Sequence, residues 1–350
     1  MQNVKRKVFT GAMALLLAAS VSAGVSSKAF AAQKSKEKLP EKYIQGYLVK
    51  DGKKTPVYNN TPKSKTQYAT SPYEGNYPKL AEDPYAPAPG SGSTTTKSAD
   101  MKNIIYFKYE GFKAAFKEGE EKRDAAPYLE KKSDGTIEMG VYDPKTGELS
   151  NLPFTLENQE RAKNGEEWMV NQYGPSMAWS KAFDGTSKLK RDSKYKLLGT
   201  SVVNNSAEWW SGLDIKHGVN TTESYSLAWT VGFKISVEAG GGVVPGKTTT
   251  EFSTELTNQF GSEITISDEV TYKDQTRVPK ADNPDYQYNV YRGALYQLES
   301  TYTLEPGTGL KELMSAGGMN NLFTQGLANP KFAYNEKELY YPVTPGSHLE

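Results

Sequence analysis

Apolar and polar positions alternate with a period of two over long stretches of this chain, and the longest such stretch covers 224–260. In its first arm every odd position is apolar: Tyr225, Leu227, Trp229, Val231, Phe233, Ile235 and Val237. The even positions between them are small, polar or charged, among them Ser226, Thr230, Lys234, Ser236 and Glu238. A two-residue period sends successive side chains to opposite faces of a strand, so the arm predicts a β-strand with one apolar and one polar face. A turn run follows, made of Gly240, Gly241, Gly242, Val243, Val244, Pro245 and Gly246. The second arm resumes in the opposite phase, with Phe252, Leu256 and Phe260 at even positions and Lys247, Glu251, Ser253 and Glu255 at odd ones. Together the arms predict a hairpin whose apolar face carries no charge.

The rest of the chain is read the same way. Strands are predicted over 137–142, 197–203, 263–277, 286–291 and 296–304, and a turn over 143–147. Over 104–116 the alternation of Ile105, Phe107 and Tyr109 gives way to helical spacing, which predicts a strand running into a short amphipathic helix. Short helices are predicted around Trp168, within 157–173, and over 310–315. The expected fold class is mainly β: an elongated arrangement of long antiparallel strands with a small α+β head. The expected organisation is a signal peptide over 1–31 and a leader with a Pro/Gly/Tyr-rich segment over 32–100. A receptor-binding head over 101–193, a β domain over 194–305 and a C-terminal segment over 306–350 follow, the last read as a possible activation peptide with a tag scar at 346–350.

Composition narrows the function classes. The chain has 350 residues and a net charge of +1, which gives no electrostatic reason to expect a nucleic-acid partner. It has no cysteine and two histidines, so disulfides and thiolate sites are excluded and a histidine-based centre has little material. Lys5, Arg6 and Lys7 precede an apolar core over 8–21, and Ala29-Phe30-Ala31 offers a small-x-small cleavage site; the expectation is secretion. Removing that leader with Lys28 takes the net charge to about −3. The lysine-rich stretch 33–54 reads as an exposed leader open to proteases. The stretch 61–97 reads as linker or loop, and its tyrosines Tyr68, Tyr73, Tyr77 and Tyr85 form either an exposed sticky surface or a packed cap.

Chemical motifs are sparse. Gly241 to Thr248 fits the phosphate-loop pattern G-x-x-x-x-G-K-[ST], but that loop works only between a buried strand and a helix N-terminus, and here both flanks read as amphipathic strands. Asn220-Thr221-Thr222 is a glycosylation sequon, which carries no such meaning if the cysteine-free exported chain is of bacterial source, as that combination leads us to expect. Trp209-Trp210 reads as core packing, with a sugar or lipid anchor as the exposed alternative. No nucleophile elbow, zinc-helix pair or glycosidase signature stands out, so the expectation is no enzyme, no catalytic residue, no cofactor and no metal.

Alternating strands are also the ordinary pattern of a half-buried antiparallel sheet. Three features of 224–260 point further. The alternation outlasts the roughly 9–11 residues of a tilted membrane-crossing strand. Its apolar face is free of charges, each of which costs ~2–4 kcal/mol at the bilayer midplane. Its other face is rich in Ser and Thr with scattered charges, as a water-filled lumen requires. Because backbone groups in lipid must be paired internally, one hairpin cannot suffice, and a barrel requires several copies.

These features bring a family into view. The stretch 197–304 resembles the pore-forming half of aerolysin-like β-pore-forming toxins, in particular the epsilon-toxin/Mtx2 group. The likeness rests on Val202-Val203-Asn204-Asn205-Ser206 closing a strand, on the Ser/Thr-rich amphipathic hairpin, and on Val278-Pro279 introducing a strand through Tyr288-Asn289-Val290-Tyr291. The resemblance implies a secreted, insecticidal toxin that binds a receptor on the target-cell membrane, is cut by an activating protease and forms a homo-oligomer. Tyr225, Leu227, Trp229, Val231, Phe233, Ile235, Val237, Phe252, Leu256 and Phe260 would face lipid. Ser226, Thr230, Lys234, Ser236, Glu238, Lys247, Glu251, Ser253 and Glu255 would line the lumen, with 240–246 as the tip. Two lysines against three glutamates per hairpin imply a weakly cation-selective pore. The alternative is a secreted β-rich carbohydrate-binding adhesin, with a secreted hydrolase third.

Overall fold

Outside 224–260 the most regular alternation builds the frame of the fold, a six-stranded antiparallel sheet. In a computed structural model of the chain, residues 44–58, 76–151, 179–234, 247–315 and 322–349 are described, all within one unit, Leu39–Glu350. The predicted signal peptide, the helix around Trp168, Tyr68 and Tyr73 lie outside these residues. The fold is mainly β, with 42% strand against 15% helix among the described residues.

The first strands are β1 (Ile44–Lys50), β2 (Lys53–Tyr58), β3 (Thr95–Asp100), β4 (Ile104–Tyr106), β5 (Lys113–Ala114) and β6 (Arg123–Asp124). Then come β7 (Ala126–Lys131), β8 (Ile137–Tyr142), β9 (Leu149–Ser150), a 3-10 turn (Trp179–Phe183), β10 (Lys188–Asn204), β11 (Trp209–Trp210) and β12 (Asp214–His217). Two helices follow, α1 (Thr221–Val231) and α2 (Lys247–Phe260), and then β13 (Val270–Lys273), β14 (Arg277–Val278), β15 (Val290–Glu305), α3 (Thr308–Ser315) and β16 (Lys331–Pro342).

The curled main sheet has the order β2-β1-β16-β15-β10-β3. β10 and β15 pair from Lys188↔Glu305 to Asn204↔Val290, with a bulge between Leu197 and Gly199. Opposite residues of an antiparallel ladder share a face, so Leu189, Arg191, Ser193 and Tyr195 lie on one side with Leu304, Tyr302, Ser300 and Leu298. At one end of that side Leu189 and Tyr302 join Phe332 and Tyr334 of β16 in an apolar cluster completed by α1 and α2. Towards the other end Tyr195, Leu298 and Tyr340 pack with Tyr77 and Leu80. Between them lies a polar layer: Arg191, 2% exposed, holds Glu336 at 2.6 Å, and Ser193 and Ser300 share a hydrogen bond of 2.7 Å.

Four smaller strands form the head sheet β4-β7-β8-β9. One set of its residues, Ile105, Phe107 and Leu129, packs against Trp179, Leu310, Leu313 and Phe323, which brings in α3. Another, Tyr106, Tyr128 and Tyr142, forms a tyrosine cluster reached by Trp229.

Several expectations need correction. The polar leader contributes β1 and β2, because Ile44, Tyr47 and Val57 are buried among sheet residues. The stretch 61–97 is a packed cap where it is described, with Tyr77 buried, although Tyr85 is 64% exposed. No helix follows β4; Lys113–Ala114 pairs with Arg123–Asp124 instead, and Phe116 packs on Ala114, Ala125 and Val141. The strand expected over 263–277 shrinks to β13 and β14. The expected strand at 296–304 lies within β15, which also takes in Val290 and Tyr291, while 286–289 are not strand. Residues 346–349 pack onto the fold: Ser347 and His348 are buried, and His348 Nε2 lies 2.6 Å from the Pro279 carbonyl. Trp209 is buried, as core packing requires, and Trp210 is exposed.

Candidate functional site

The stretch read as a hairpin is folded as two helices. Asn220 caps α1 with a capping box: its side chain accepts from the Glu223 N–H at 3.0 Å, and the Glu223 carboxylate accepts from the Asn220 N–H at 2.9 Å. α1 ends at Gly232, whose left-handed backbone (φ 70°) also brings its Cα against β4; an added Cβ would meet the Ile104 carbonyl at 2.5 Å. α2 ends at Gly261, also left-handed at φ 62°. The strands predicted over 224–238 and 247–260 are therefore corrected to helices over 221–231 and 247–260. Ile235, Ser236, Val237, Glu238 and the tip Gly240, Gly241, Gly242, Val243, Val244, Pro245 and Gly246 lie outside the described residues, as does the Lys247 side chain.

The misreading has a geometric cause. Tyr225 and Trp229, Leu227 and Val231, and Phe252, Leu256 and Phe260 are spaced by four. A step of four returns to the same face both in a strand and, nearly, in a helix. The deciding positions are Ser224 and Ala228, which are buried beside Leu227 and Val231 and complete a helical stripe. The sequence signals that were missed are the Asn220-x-x-Glu223 cap and the glycines at 232 and 261.

Nearly all the described residues assigned to the lipid face are buried together. Tyr225, Leu227, Val231, Phe252, Leu256 and Phe260 belong to the cluster on the main sheet, with Trp229 and Phe233 partly buried at its margin. The Phe233 and Phe252 rings meet at 4.8 Å, joining the end of α1 to α2, and Phe260 faces Tyr302 of β15 at 6.1 Å. Trp229 stacks on Tyr225 and tilts against Tyr142 of the head.

The polar positions tie the helices to their surroundings. The Thr230 hydroxyl is shared between the Ser226 and Asn329 carbonyls, at 2.9 and 2.8 Å. Ser253 accepts from the Ile266 N–H at 2.7 Å. Lys234, half exposed, pairs at 2.7 Å with Glu130 of β7, which also pairs with Lys132 at 2.8 Å. Burial alone would raise the Glu130 carboxyl; the two ammonium groups outweigh it and hold it below the usual carboxylate range. Glu255 pairs with Lys102, and the Gln259 amide donates to the Asp100 carbonyl at 2.7 Å. Glu251 is half-buried. Tyr106 of β4 donates to the Phe233 carbonyl at 2.8 Å.

The helices leave from and return to one small ladder. β12 and β13 pair antiparallel from Asp214↔Lys273 to His217↔Val270. The ladder stops at Gly218, where φ is +94° and an added Cβ would sit 2.1 Å from the Asp268 carbonyl. Beyond it Val219 meets Asp268 in a parallel bridge. His217, 3% exposed, lies 3.2 Å from the Ser267 hydroxyl and beside the Tyr272 ring. Burial, with Lys337 adding to it and Asp51 opposing, holds its imidazole below the ordinary value.

With this geometry in place, comparison with known proteins adds no identity. No family model matches the chain, and no curated protein matches it. Among the described residues no group of three or more His, Asp or Glu side chains could hold a metal ion, and no helix is long and apolar enough to cross a membrane; the second statement leaves membrane-crossing strands untouched. The arrangement is an apolar, charge-free set of side chains packed against the main sheet by helices whose sequence also fits strands.

Proposed function

We propose that this chain is a secreted β-pore-forming toxin with an elongated aerolysin-like fold, acting on target cells of insects. It binds a surface receptor, is cut by a protease, assembles with further copies and re-forms 224–260 as a transmembrane hairpin. The observation that carries this reading is the conflict at α1 and α2. Natural sequences are locally consistent with their structures, and departures from that rule concentrate at functional sites. Here a regular two-residue alternation with no charge on its apolar face is stored as helix. A helix needs no such alternation; a strand between lipid and water does.

Storage against the sheet changes the choice of test. Val231 is 5% exposed, so an aspartate there would damage the stored form as well as any inserted one. Thr250 is exposed on α2, yet falls on the even, lipid-facing set of the second arm. Thr250→Lys is expected to leave the unfolding free energy of the soluble protein, read by urea titration, within about 0.5 kcal/mol of the parent. In the bilayer it would cost ~2–4 kcal/mol per copy, so leakage from dye-loaded insect midgut brush-border vesicles should be lost. The parent, treated with trypsin, should leak the dye and run as an SDS-resistant oligomer. A parent that binds glycans without oligomer or leakage returns the adhesin alternative; a leaking Thr250→Lys protein sinks the assignment of faces.

A further inference from the structure

The short ladder β12–β13 fixes more than the point where the helices attach. Its four pairs, Asp214↔Lys273, Ile215↔Tyr272, Lys216↔Thr271 and His217↔Val270, set one register. Extended past Gly218 without a slip, that register places Leu227 opposite Phe260, Val231 opposite Leu256 and Phe233 opposite Thr254. We propose that β12–β13 is the preformed start of the inserted hairpin and dictates its register, by zipping from His217↔Val270 towards the glycine-rich run; this rests on the pore reading above.

Three features of the chain agree with this register independently. Opposite residues share a face, so only registers pairing odd with even positions put both apolar sets on one side. The ladder is of that kind; a slip of one residue would set every apolar side chain of one arm against the polar set of the other. Next, an uninterrupted ladder must close midway between its strands, between Val243 and Val244. That point lies inside Gly240 to Gly246, the turn signal of the segment, although the ladder was set by residues far from it in sequence. Last, the charges fall into order. Lys234 stands opposite Ser253 and diagonal to both Glu251 and Glu255, and no two like charges stand directly opposite.

Gly218 explains why the ladder stops where it does in the stored form. Its left-handed backbone turns the chain away from β13 and into the parallel bridge at Asp268. Glycine adopts left-handed and extended backbone with similar ease, so the same residue can continue the strand once the bridge is given up.

Cysteine cross-linking reads the register directly, because the chain has no cysteine of its own. Lys234→Cys is combined in turn with Ser253→Cys, Glu251→Cys and Glu255→Cys. Each protein is oxidised once in solution and once after trypsin treatment and assembly on brush-border vesicles. Directly opposite Cβ atoms in a ladder are about 5 Å apart and diagonal ones about 7–8 Å, and a disulfide needs about 4 Å. The 234/253 pair should therefore gain a cross-link on assembly and exceed both diagonal pairs by about fivefold or more. Thr230→Cys with Thr257→Cys repeats the measurement nearer the ladder, against Thr230→Cys with Glu255→Cys or Gln259→Cys. Leaking oligomers in which a diagonal pair dominates, or in which all three pairs react alike, overturn the register and leave the pore reading standing. Absence of both oligomer and leakage in the parent overturns the pore reading and the register with it.

Discussion

At Gly218 one backbone torsion separates two fates of the chain. A side chain there would collide with the Asp268 carbonyl in the stored form, yet would be ordinary in a continuous strand. Gly218→Ala should therefore act with opposite sign on the two states: a lower urea midpoint for the soluble protein, and faster leakage at equal dose. A variant with a lower midpoint and slower leakage would count against Gly218 as the end of the seed ladder. The neighbouring His217 makes the stored form sensitive to pH. Its folded imidazole is held below the ordinary value, so the unfolded chain binds the proton more readily. The stabilising effect is fully present above the unfolded value of about 6.5 and is lost as pH falls from there through the folded value. Urea midpoints should drop between pH 7.5 and 5.5, and His217→Gln should flatten that slope in part. His348, also held low by burial, contributes in the same direction and keeps some of the slope in the variant.

At the scale of elements, α1 and α2 are held by apolar burial on the sheet and by a few polar ties to the head and to the chain before it. Lys234 with Glu130 and Lys102 with Glu255 hold one helix each. Lys234 is half exposed and Glu130 keeps Lys132 as a second partner, so the loss is about 1 kcal/mol, and Lys234→Gln should raise the leakage rate by up to about fivefold and reduce its dependence on salt. An unchanged rate would mean that this tie breaks after the slow step. The same elements show how far sequence reading went. Of the long strands, 197–203 of β10 and 296–304 of β15 were legible, the latter because Tyr302 and Leu304 alternate with exposed or half-exposed neighbours; the 188–196 half of β10 and the whole of β16 were not. The helices were not, because steps of four satisfy both periods and the alternation was read before the cap at Asn220 and the glycines at 232 and 261. The leader strands β1 and β2 were hidden by lysines that sit on an edge hairpin. The grouping of the apolar set was visible from sequence; its cover by Phe332, Tyr334 and Tyr302 depends on contacts across long sequence separations that no local pattern encodes.

For the molecule as a whole, the decisive fact is the place of β16. It lies between β1 and β15 and carries Glu336, the partner of the buried Arg191. Breaking a buried pair by removing one partner costs about 3–5 kcal/mol, and loss of the whole strand would open the sheet on both sides. Under the pore reading, activating cuts within 306–350 are therefore expected to spare Lys331–Pro342. Mass spectrometry of the trypsin-activated oligomer should find that strand present. An active oligomer made of chains that end before Lys331 would refute the point.

The position of β16 also sets an order of events during synthesis. A chain leaves the ribosome from its N-terminus, so α1 and α2 emerge before the residues that cover them. Phe332 and Tyr334 arrive about seventy to one hundred residues later, and β1 waits unpaired on one side until β16 comes to lie beside it. Every copy thus passes through an interval in which its amphipathic segment is out and its lid is not yet made. A message truncated before codon 331 yields a chain that never leaves that interval.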